Sequence, residues 1–218
     1  MHATAAAPWR SGSSILVWVC STRGVTIAST PNDRSRGFAV LIEGFFGFMW
    51  FGWGQAAAPS WLTGPLLVGS AVGAVVAVLG AVVAARATGQ RTPMADREIR
   101  LRYNVIVGVE FLLIAAGVVI LGRTGSANWI SVWVCAVVGV HFIPLARVFP
   151  GLFLVPLAVA LMAVAVSALV LGLLTRISPS TVAGPGAGIC LIAAAVATLL
   201  TASRDAPVTA PALPLTGS

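Results

Sequence analysis

Six times along the chain, about 20 residues pass with hardly a charge among them, each run bracketed by polar residues, glycine or proline. The runs cover 37–58, 66–85, 103–122, 128–146, 151–175 and 181–203. A helix of about 20 residues reaches across about 30 Å of hydrocarbon, so each run predicts one transmembrane helix. The alternation of a barrel strand is absent, and a backbone inside the bilayer must satisfy its own hydrogen bonds, which excludes lone strands. Connections such as 59–65 and 123–127 are short, which makes successive helices antiparallel neighbours. The pattern predicts an all-α integral membrane bundle of six transmembrane helices.

Composition agrees, with 58% apolar residues and 9% charged, against about 25% charged in ordinary soluble domains. Charge then sets the orientation. All 13 basic residues are arginine, and the six acids leave a formal charge of +7. Eleven arginines fall before the first run, between the second and third, and after the fourth and sixth; only Arg123 and Arg176 lie on the other side. Cytoplasmic loops retain positive charge, so both termini are expected in the cytoplasm of a bacterial plasma (inner) membrane. The excess charge thus reads as topology and contact with lipid, not as nucleic-acid binding. Trp50, Trp53, Trp61, Trp129 and Trp133 near the outer ends of their runs are expected to form an interfacial belt.

The segment 1–36 is of other material, rich in Ser, Thr, Ala and Pro, with one apolar patch at 15–20 that is too short to span. It lacks the form of a signal peptide and is expected to be disordered, or translated from a start codon upstream of the true one. The tail 204–218 reads as a flexible end. Ahead of the third run, Thr92-Pro93 followed by acids is a helix-start signal, placing Thr92 at the N-cap of a helix over 93–122, with Asp96–Arg100 and Glu98–Arg102 as i, i+4 pairs. Arg97, Arg100 and Arg102 would then form a basic collar at the headgroups, facing solvent or anionic lipid.

Glycines mark where helices approach closely. Gly69 and Gly73, continued by Gly80, make a smooth stripe, expected to serve packing within the bundle or a homo-oligomer contact. Gly44, Gly47, Gly52 and Gly54 play a similar part in the first run, interleaved with large aromatics. Gly184-Pro185 predicts a broken or late-starting last helix, and Pro144 and Pro156 predict kinks.

Three ionisable residues remain at membrane depth: Glu43, Glu110 and His141. Such groups are costly there and by default face the bundle interior and mark function. At about 1.5 Å per residue they lie roughly 9, 11 and 9 Å from the cytoplasmic ends of their runs, which predicts one polar layer, with Asn104 as a companion to Glu110. A carboxylate beside an imidazole there would titrate as a coupled pair, able to carry protons or hold a cation. The alternative is that Glu43 snorkels or pairs with Arg36 or Arg147, while His141 hydrogen-bonds a neighbouring helix.

No serine-elbow, zinc, intramembrane aspartyl or phosphate-loop motif occurs, so no catalysis and no cofactor is expected. Cys20, Cys135 and Cys190 show no metal-ligand spacing, and the last two read as small core residues. With its Val-Gly-Val-Glu-Phe run at 107–111 and Val-Gly-Val-His-Phe-Ile-Pro-Leu-Ala-Arg run at 138–147, the stretch 37–203 resembles the small integral membrane proteins common in high-GC bacteria. That is a likeness of type, and it implies no activity or site residue. Two functions are therefore expected in turn: proton-linked transport or binding of a small solute or ion at Glu43, Glu110 and His141, or a non-catalytic scaffold or accessory subunit acting through helix packing.

Overall fold

Hydrocarbon offers backbone groups no partner, and the long apolar runs answer by coiling into helices. The computed structural model describes residues 33–87, 96–149 and 152–204. The helices are α1 (Asp33–Gln55), α2 (Ser60–Arg86), α3 (Arg97–Arg123), α4 (Ile130–Val148), α5 (Leu154–Leu174) and α6 (Pro179–Arg204), with one 3-10 turn, Ala127–Trp129, leading into α4. All six are long and apolar enough to cross a bilayer. The bundle also turns apolar side chains outward: Leu67, Val68, Leu112, Leu173 and Leu174 are each more than half exposed. Surface of that kind needs lipid rather than water around it. The protein is an all-α, six-helix membrane bundle.

Several helix ends differ from those the sequence predicts. Among the described residues α1 runs from Asp33, so 33–36 belong to the helix of the first span. The remainder of the N-terminal segment, and the tail from 205, lie outside the described residues. α3 is capped by Asp96, whose carboxylate accepts a hydrogen bond from the Glu98 amide at 2.8 Å. Thr92 and Pro93 lie outside the described residues. A short acid next to an exposed amide is the better cap, so Asp96 serves the backbone while Glu98 pairs with Arg102 on the surface.

The predicted break at Gly184-Pro185 is not found. α6 runs from Pro179 to Arg204 with Pro185 inside it, and α4 runs unbroken through Pro144. Pro185 leaves only the carbonyl of Thr181 without its donor, and the flat face it shares with Gly184 is used for packing. Gly184 lies against Gly54 and the Trp50 carbonyl, and Gly54 against the Pro185 ring.

In space the helices follow the order α2, α1, α6, α5, α4, α3, with α6 also touching α4. The glycine registers show that α1 is antiparallel to both α2 and α6. A Cβ on Gly37, Gly44 or Gly80 would overlap the backbone of Ala84, Ala77 or Leu41 respectively, and one on Gly73 the backbone of Phe48. Gly69 lies under the Phe51 ring. The Gly69–Gly73 stripe thus faces α1 of the same chain.

The main core lies among α1, α4, α5 and α6, where Trp50, Cys135, Leu161, Ala187 and Leu191 are buried together. Trp50, only 4% exposed, is therefore a core residue and not part of an interfacial belt; it stacks on Trp53 with ring centroids 5.2 Å apart. Trp61, the second residue of α2, is 75% exposed. Cys135 and Cys190 carry free thiols, and the Cys135 thiol donates to the Leu161 carbonyl at 3.4 Å.

Candidate functional site

α3 differs from the other helices in having one substantial neighbour, α4. Its covered positions, Gly117 buried and Ile99, Tyr103, Ile106, Val107, Glu110, Ile114 and Leu121 half-buried, recur at three and four residues and so form a single seam. Three contacts hold that seam. At one end Tyr103 meets Phe149 edge to face, with centroids 6.0 Å apart. Toward the other end the Trp133 indole lies over Gly117, where a Cβ would collide with it, and donates to the Leu113 carbonyl at 3.0 Å. Between them, Glu110 Oε2 stands 3.2 Å from His141 Nδ1.

The seven-residue spacing of Tyr103, Glu110 and Gly117 returns each to the same face after two turns, which explains why one acid of α3 must meet α4. The Glu110 and His141 side chains are 15% and 9% exposed. The ring nitrogen is near the carboxylate but not aligned for a hydrogen bond to it, and it has no other hydrogen-bond partner. The His141 ring rests edge-on to Phe142, with centroids 5.5 Å apart.

α1 and α3 make no extended contact, and a cavity of about 560 Å³ lies between them, floored by Val134 and Val138 of α4. Six aromatic side chains line it, among them Phe46, Phe48 and Trp53 of α1 and Phe111 of α3. Glu110 is the one ionisable residue on its wall; His141, 3.2 Å from the carboxylate, is outside the lining. A second groove of about 550 Å³, between α2 and α6, is lined by apolar residues and glycine alone. Only the first combines volume with a charge-bearing group.

The other expected members stand elsewhere. Glu43 is 5% exposed and lies on the stripe of Val40 and Gly47, which faces α6 through Ile192, Ala195 and Leu199. It does not line the cavity, and its Oε2 has no hydrogen-bond partner. The single polar layer expected from equal depths is therefore not formed, because depth along a helix leaves the direction of the side chain open. Asn104 is exposed. Six residues from Glu110, it points about 120° away round the helix and is no companion to it. Arg97, Arg100 and Arg102 are exposed in the first two turns of α3. Among the described residues no three His, Cys, Asp or Glu side chains converge as a metal site.

Sequence reasoning missed the aromatic cavity and the role of Trp133. A signal for the pair was nevertheless present: 107–111 and 138–142 share the frame Val-Gly-Val-x-Phe, with Glu110 and His141 at the variable place. The two frames differ in surroundings, since Gly139 packs on Met162 while nothing approaches Gly108. Chemically, a carboxylate within 3.2 Å of an imidazole can exchange a proton with it, and the same carboxylate can meet a ligand in the cavity. Comparison with known proteins finds no family model that matches this chain, no similar curated protein and no similar solved structure.

Proposed function

We propose that the protein is a carrier in the bacterial plasma membrane, with both termini cytoplasmic, that couples movement or binding of a small solute or ion to a proton held by Glu110 and His141. The observation that supports this reading is the position of Glu110, between an imidazole at 3.2 Å and a cavity of about 560 Å³. An acid at membrane depth that served helix register alone would not need to border a cavity. The orientation is supported by the arginines: alternate antiparallel helices bring Arg86, Arg97, Arg147 and Arg204 to the end where α1 starts, opposite Arg123 and Arg176. The test is proton flux in liposomes that hold the purified protein and a trapped pH dye, with candidate solutes added outside. Solute-dependent flux is expected from the wild type and not from Glu110→Gln. Equal flux from both, or none from the wild type across cations, anions and neutral metabolites, overturns the reading.

A second reading, a scaffold or accessory subunit, is favoured by the outer face of α3, where Leu101, Leu112 and Ile120 are each about 60% exposed or more and no helix among the described residues covers them. Co-purification of a partner that is lost on placing Asn at Leu101 and Leu112, with flux absent, would favour it.

A further inference from the structure

We propose that the cavity between α1 and α3 binds a lipophilic monovalent organic cation, which enters sideways from the bilayer and is held by Glu110 against the aromatic wall. This rests on the carrier reading and names its substrate class.

Four features exclude the other classes. The volume of about 560 Å³ falls within the range of about 300–1,000 Å³ typical of sites for drug-sized molecules, far larger than a bare metal ion requires. An inorganic cation would also need several oxygen ligands, and the lining offers only the Glu110 carboxylate among apolar side chains. An anion would meet an acid and no cationic side chain in that wall. A neutral lipid tail would fill the space but leave the carboxylate without a ligand partner at membrane depth. An organic cation satisfies both parts: its charge faces Glu110, and its hydrocarbon lies on rings whose electron-rich faces attract positive charge.

The way in follows from exposure. Phe45, Phe46, Phe48 and Met49 are between 41% and 50% exposed although they line the cavity, so its rim is open along the flank of α1. That flank faces hydrocarbon, where a lipophilic cation concentrates before binding. His141, 3.2 Å from the carboxylate and outside the lining, gives Glu110 a neighbour that is kept when the ligand leaves.

Equilibrium dialysis of radiolabelled tetraphenylphosphonium against the full chain in nanodiscs tests the inference, with triphenylphosphine oxide as a neutral competitor of similar shape. Saturable binding is expected. It should weaken at least about tenfold in Glu110→Gln and persist in Glu110→Asp, which keeps the charge. Phe111→Ala, altering a side chain that is 62% exposed and so leaving the fold intact, should weaken it about three- to tenfold. Binding unchanged in Glu110→Gln, effective competition by the neutral oxide, or no binding to the wild type would each overturn the inference. The two readings fail separately. Solute-driven proton flux without tetraphenylphosphonium binding removes the substrate class and keeps the carrier, whereas binding without flux keeps the site and removes the carrier.

Discussion

α1 and α3 are alike on paper: each is a long apolar helix with one acid near its middle. In the bundle they are opposites. α1 is gripped on two sides, by α2 through Gly37, Gly44, Gly73 and Gly80 and by α6 through Gly47, Gly54 and Gly184, with backbone lying directly on backbone. α3 leans on α4 alone and buries one residue, Gly117. The acid of the first helix is accordingly sealed at 5% exposure, while the acid of the other borders a cavity. The number of neighbours a helix has, and not the residue it carries, decides whether an intramembrane carboxylate can be reached.

That contrast is easiest to break at the glycines. Gly44→Leu or Gly80→Leu would drive a side chain into the backbone of the facing helix, and such overpacking costs about 3 kcal/mol or more where the backbone cannot yield. The expected outcome is loss of the monodisperse peak in size-exclusion chromatography, whereas Gly108→Leu, with open space around it, should elute as the wild type does. A soluble, well-behaved Gly80→Leu protein would show that α1 and α2 are not seated as described.

A milder change addresses α3. Trp133→Phe removes the indole donor to the Leu113 carbonyl, worth about 1 kcal/mol for a hydrogen bond between membrane helices. Hydrogen exchange should then speed up in α3 while α1 and α2 stay protected; uniform loss of protection would mean that α3 is not the loosely held helix. Glu110→Gln should cost less still, within about 1 kcal/mol of the wild type in thermal unfolding, since no aligned hydrogen bond joins it to His141. A large loss of stability would make the pair a structural clamp. Least of all should come from Arg102→Ala. The Glu98–Arg102 pair is exposed on both sides, and such i, i+4 pairs contribute at most about 0.5 kcal/mol. A clear drop in the unfolding midpoint would mean that the start of α3 is tied to something more than its own turn.

The six spans were legible because the bilayer imposes length and hydrophobicity directly on the sequence. A boundary moved where capping chemistry outranked hydropathy, at Asp96. The role of proline was misread at Gly184-Pro185, since a flat surface and a helix breaker look the same until the facing residue, Gly54, is known. Of the candidate polar residues, the sequence offered depth but not azimuth. Glu110 and His141 meet because each lies on the α3–α4 seam; Glu43 and Asn104 stand apart because each points elsewhere on its helix. The cavity was invisible for a different reason, being made by a contact that α1 and α3 do not form.

The pairing of α1 with α6 has a consequence for how the chain is made. A ribosome delivers α1 first and α6 last, yet the face of α1 that carries Val40, Glu43 and Gly47 is completed only by α6. Through most of synthesis α1 and α2 can pair as a hairpin while that acidic face has no mate. Chains cut short before α6 therefore keep an unfinished surface around Glu43 inside the bilayer.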